Sequence, residues 1–123
     1  MASVDFFVVD PEAGRAVLAQ VLREQGFEVA TVPATGAWLV RRGSTLATAA
    51  LGAMAGRKQR LEYRVEFFTH EGRLVARFRR DGGAGAMGGA IGVRRSARVF
   101  DEVAAALSDR LTAAGQLANL VRS

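Results

Sequence analysis

The chain has no cysteine, which excludes disulfides, thiolate chemistry and cysteine-based zinc sites. Its single histidine, His70, removes multi-histidine metal centres and leaves only an all-carboxylate site open. No stretch approaches the roughly 18 uninterrupted apolar residues of a membrane span. The amino-terminal MASVDFFVVDPEAG lacks a basic start and places an aspartate inside its short apolar run, so it makes a poor signal peptide. These absences predict a soluble, cytoplasmic protein. Prolines number two and aromatics are sparse, yet half of the 123 residues are hydrophobic and 24% are charged. That is globular composition, enough for a single domain over residues 1–123 with one core.

Charge is present but uneven. Residues 41–98 hold thirteen arginines and lysines against four acids, whereas residues 1–40 and 99–123 are both net acidic. A basic centre favours an anionic partner such as nucleic acid, phosphate or a lipid head group. All but one of the seventeen basic residues are arginine, and alanine, glycine and valine abound, which a GC-rich genome also produces.

The most distinctive feature is a pair of similar small-residue segments. Leu46 to Gly56 (LATAALGAMAG) runs straight into Arg57-Lys58, and Gly82 to Gly92 (GGAGAMGGAIG) reaches Arg94-Arg95 one residue later. Both contain Gly-Ala-Met-small-Gly, from Gly52 to Gly56 and from Gly85 to Gly89. Gly52/Gly56, Gly85/Gly89 and Gly88/Gly92 are each spaced GxxxG, a spacing that lets two backbones touch. The echo is too short and too few in copies for a repeat architecture. Alanine and leucine favour a helix in the first segment, and six glycines in eleven residues predict a loop in the second.

Local patterns predict the remaining elements. Val4 to Val9 reads as a strand, and Asp10-Pro11-Glu12 as a helix start with a capping carboxylate and proline at the first helical position. Val17, Leu18, Val21 and Leu22 form one stripe, and Gly26 closes that helix. Phe27 to Val32 and Ala37 to Arg42 read as strands about a turn at Pro33 to Gly36. Leu61, Tyr63, Val65 and Phe67 alternate with Glu62, Arg64 and Glu66. After a turn at Thr69 to Gly72, Leu74, Ala76 and Phe78 alternate with Arg73, Arg77 and Arg79, with Val75 out of pattern. Ser96 is placed to cap a final helix ending at Gly115, and Leu117 to Val121 to dock as a short apolar tail. The predicted fold is α+β: one antiparallel sheet of four to five strands with two helices on one face, in the order β-α-β-β-β-β-α.

Several chemistries can be weighed on these residues. The glycine-rich loop before the last helix resembles a phosphate cradle, but the Walker lysine–hydroxyl pair and the GxGxxG spacing after a first strand are missing. A membrane-surface contact lacks bulky anchors beyond Leu46, Leu51, Met54, Met87 and Ile91. Arg64, Arg77, Arg79 and Phe68 on the wet side of the hairpin, with Trp38 on the same sheet, could form a nucleic-acid platform. Glu62 and Glu66 share that side, and ion pairs with Arg77 or Arg79 are the simpler reading. No catalytic constellation is evident. His70 lies in a turn beside Glu71, and Asp10, which could pair with Asp5, is better explained as a cap.

From Ser44-Thr45 through Gly56-Arg57-Lys58, and again from Gly85 through Val93, the chain resembles a group of small actinobacterial proteins. These pair a Gly-Ala-x-Ala-Gly-basic segment with a later Gly-Ala-x-Gly-Gly-x-Ile-Gly-Val segment before a C-terminal helix. The resemblance covers roughly residues 40–120. It implies a bacterial source and a shared fold, and no activity, cofactor or site.

The expectation is therefore a non-enzymatic binding or assembly module without cofactor or metal. Its close-approach surface comprises Gly52, Gly56, Gly85, Gly88, Gly89 and Gly92, rimmed by Arg57, Lys58, Arg94 and Arg95. The partner is a second copy of the chain or an anionic ligand. The alternative is an anion binder acting on nucleic acid or an anionic membrane surface.

Overall fold

In the computed structural model the described residues are 2–43, 61–80 and 89–123, with side chains from residue 96 in the last stretch. The elements are β1 (Ala2–Val8), α1 (Pro11–Glu24), β2 (Glu28–Thr31), β3 (Trp38–Arg42), β4 (Leu61–His70), β5 (Arg73–Arg80), α2 (Gly89–Ala113) and β6 (Leu117–Arg122). The strands form one antiparallel sheet in the order β2-β3-β4-β5-β1-β6. Both helices contribute to the same hydrophobic core as the sheet, giving two layers. Among the described residues no helix is long and apolar enough to cross a membrane.

Asp10 starts α1 as its sequence implies. Its carboxylate accepts the Ala13 N–H at 2.8 Å, and proline follows in the first turn. Leu18, Val21 and Leu22 of α1 are buried against the sheet. Gly14 permits the close approach of α1 to β1: a Cβ there would stand 2.8 Å from Val8 Cβ. The helix ends through Gly26, whose φ of +88° belongs to the left-handed region. The core gathers on aromatic rings. Phe78 stacks on Phe100 with centroids 4.5 Å apart, and Tyr63 meets Phe27, Phe78 and Phe100.

Three expectations are corrected. The sheet has six strands, because Leu117 to Arg122 forms a true strand rather than a docked tail. It pairs with β1, whose backbone groups would otherwise be an open edge. Gln116 guides it there, its side-chain oxygen accepting the Asp10 N–H and its carbonyl the Val9 N–H, both at 2.9 Å. The last helix begins at Gly89, not at Ser96, so Gly89, Gly92, Arg94 and Arg95 are helical. Ser96 is buried inside that helix, where its carbonyl accepts the Tyr63 hydroxyl at 2.7 Å. Two glycines oppose these opening turns by about 1 kcal/mol each, an amount that the other residues and neighbouring turns offset. Finally, β4 continues through His70, and the hairpin turns on Glu71-Gly72 alone, both at positive φ (52° and 77°).

Val75 also has a place. On the sheet face away from the helices it lies between its register partners Phe7 and Phe68 and is fully buried. Its departure from alternation makes a small apolar row on the outward side.

Candidate functional site

The two Gly/Ala segments join strands that are neighbours. The first connects β3 to β4, and Arg42 and Leu61, the residues at its two ends, are register partners. The second leaves β5 after Arg80 and leads into α2. Arg64 pairs with Arg79, so Leu61 of β4 and Arg80 of β5 lie at the same end of the sheet. Adjacent strands are about 4.8 Å apart, so the strand ends bearing both segments fall within about 10 Å across the sheet. The amino-terminal part of α2 belongs to this end too, since Ser96 meets Tyr63 two residues into β4.

Of the residues expected to form the surface, Gly52, Gly56, Arg57, Lys58, Gly85 and Gly88 lie outside the described residues. Gly89, Gly92, Arg94 and Arg95 fall in the opening turns of α2. The loop expected over Gly82 to Gly92 is corrected from Gly89 onward, where the chain is helical.

Arg42 and Arg80 stand at this end of the sheet on its helix side. Arg42 lies with its guanidinium carbon 5.0 Å from the Phe27 ring centre and donates to the Gln25 carbonyl at 3.1 Å. Arg80 is half-buried, and its buried Nε has no hydrogen-bond partner among the described residues. A buried donor on a charged group left unmade is unfavourable by at least about 1–3 kcal/mol. No sequence signal separates Arg80 from Arg79. Only the alternation, which turns Arg80 towards the helix layer with Phe78, could have marked it.

The outward face is a lattice of ion pairs. Asp5 accepts two hydrogen bonds from Arg77, at 2.9 and 3.1 Å, and the same guanidinium lies 4.8 Å from the Phe68 ring centre. The Asp5 carboxylate raises the pKa of Arg77 further. Arg79 donates to Glu66 at 2.9 Å, and Arg41 faces Glu62 at 3.3 Å. The pairing expected between Glu66 and Arg79 is present, while Glu62 takes Arg41 instead. Trp38 is not on this face. It packs edge-on against Phe67, at 4.8 Å, on the helix side. The basic and aromatic platform is therefore divided between two faces, and Arg77 and Arg79 already meet carboxylates.

His70 is exposed and 4.0 Å from Glu71, with its ring against Phe7. Among the described residues no cluster of three metal-ligating side chains occurs. No family model matches the chain, and no curated protein matches it significantly.

Proposed function

We propose that the protein is a non-enzymatic binding or assembly module whose working surface is the sheet end carrying both Gly/Ala segments. The observation that supports this reading is the common origin of the segments: they attach to the ends of β3, β4 and β5, three successive strands. Segments anchored this close together can act as one surface. The small residues of both sequences would let a partner backbone approach, and Arg57, Lys58, Arg94 and Arg95, adjacent to them in sequence, would add positive charge.

The test is the mass in solution of wild type and of Gly52→Val and Gly88→Val, measured by light scattering at low and high salt. A salt-independent assembly that the valines dissolve, with unchanged circular dichroism, supports the reading. A monomer at every salt removes self-assembly, and valine variants that unfold assign the glycines to internal packing.

A second reading is anion binding at the same end, supported by the buried Nε of Arg80, which has no partner among the described residues. Oligonucleotides and acidic vesicles are the probes, and charge reversal at Arg94 and Arg95 is the variant. Binding that falls steeply with salt and is lost on reversal supports it.

A further inference from the structure

β3 pairs with β4 only as far as Trp38 opposite Val65, while β4 runs on to His70. Among the described residues, Glu66 to His70 therefore have no strand beside them on this edge. Alternate residues of an antiparallel strand turn both backbone groups to the same neighbour. The two-residue turn at Glu71-Gly72 makes His70 and Arg73 a hydrogen-bonded pair, so Glu66, Phe68 and His70 bond to β5. Ser3 and Ser123, which exchange both backbone bonds at the far side of the sheet, set the same phase. Phe67 and Thr69 consequently aim their N–H and C=O groups at the open edge. Gly36 would face Phe67 if β3 were prolonged, but its N–H donates to the Val32 carbonyl at 2.8 Å.

The β2–β3 turn thus bends away and leaves a cavity of about 330 Å³ where β3 would continue, with walls that include Thr35, Ala37, Trp38, Glu66 and Phe67. Apolar surface flanks the open edge on both faces of the sheet. Trp38 and Phe67 meet edge-on, both half-buried, on the helix side, and Phe68 is 36% exposed on the other. The Arg15 guanidinium, 5.0 Å from the Phe67 ring centre, brings positive charge to the helix side. The outer edge of β6 is different: its Leu120 N–H, which faces away from β1, is taken by the Asn119 side chain at 2.9 Å. Self-capping of that kind discourages an added strand. Donors and acceptors at strand spacing beside a cavity match an extended backbone that carries a bulky side chain.

We propose that the overhang of β4 binds an extended peptide as an added antiparallel strand. The peptide continues the line of β3, seats a bulky apolar side chain in the cavity beside Trp38 and Phe67, and carries an acidic residue two positions earlier on the side of Arg15. Phe67 lies about 20 Å along β4 from Leu61, so the site is independent of the sheet end proposed above.

Trp38 is the only tryptophan, so its emission reports this cavity. The probe is acetyl-Thr-Glu-Val-Phe-amide, whose Glu and Phe would stand opposite Thr69 and Phe67. It is expected to change Trp38 emission saturably. A methyl group on the probe's Phe nitrogen, which faces β4, is expected to weaken binding at least about tenfold, and one on its Val nitrogen, which faces away, to leave binding unchanged. Lysine in place of the probe's Glu is expected to weaken binding as well. Thr69→Pro deletes an edge N–H that β5 does not use, where sheets accept proline, and Ala37→Leu fills the cavity. Each is expected to abolish binding with circular dichroism unchanged. No saturable response overturns the proposal. So does an equal effect of the two methyl groups, a lysine probe that binds as tightly, or binding that survives both variants. A peptide-free dimer that Thr69→Pro dissolves gives the edge to a second copy and overturns it too.

Discussion

The Tyr63 hydroxyl donates to the Ser96 carbonyl across 2.7 Å, joining the third residue of β4 to the eighth residue of α2. That bond ties the helix that follows the second Gly/Ala segment to the strand that follows the first.

Tyr63→Phe is expected to lower stability by about 1 kcal/mol, since the carbonyl keeps its helical partner and only one neutral hydrogen bond is lost. The pH response is more diagnostic. Burial raises the Tyr63 pKa above its ordinary value of 10. The unfolded chain therefore deprotonates first. Stability due to this group is whole below pH 10 and declines as pH rises through the folded value. Denaturant titrations across that window are expected to show a decline that Tyr63→Phe removes. Tyr63 is the only tyrosine, so its absorbance reports the folded titration directly.

Gly14→Ala gains helix propensity of about 1 kcal/mol but places a Cβ 2.8 Å from Val8 Cβ. Overpacking of this kind costs about 1–3 kcal/mol, so a net loss of stability is expected in urea unfolding.

Glu71 occupies a left-handed position, φ +52°, in a two-residue hairpin turn. Glu71→Asn is expected to stabilise by about 0.5–1 kcal/mol, because asparagine tolerates that conformation better. Thermal unfolding checks it. An unchanged midpoint would mean that the turn carries no strain.

Arg80 gives a direct handle on anion binding. Inorganic phosphate is expected to raise the melting temperature of wild type more than that of Arg80→Met, because the variant lacks the buried Nε, which has no partner among the described residues. Equal shifts in both would assign the effect to general salting and remove Arg80 from the reading.

Much of this architecture is legible because local chemistry and tertiary packing agree. Asp10-Pro11 starts α1 by capping, and the alternation from Leu61 to Phe67 faces the core as written. Where the sequence misleads, a long-range partner decides. Ser96 has the chemistry of a cap, but Tyr63 and the core hold it within a helix. Leu117 to Arg122 has no clean alternation, yet β1 offers it an edge and Arg122 reaches Asp101 of α2 at 2.8 Å. Trp38 falls on the helix side by its register with Val65, which no composition of the strand reveals. The candidate surface was legible as two matching segments. Their common origin at one sheet end was not, because strand order is a property of pairing.

The proposed function requires the two Gly/Ala segments to act as one surface. A chain without cysteine permits site-directed spin labelling with no background. Labels at Ala53→Cys and Ala86→Cys, read by pulsed electron paramagnetic resonance, test the claim most directly. A narrow distance distribution at about 20 Å or less, a few strand spacings, is expected. A broad distribution extending well beyond that, in a protein with native circular dichroism, would contradict it.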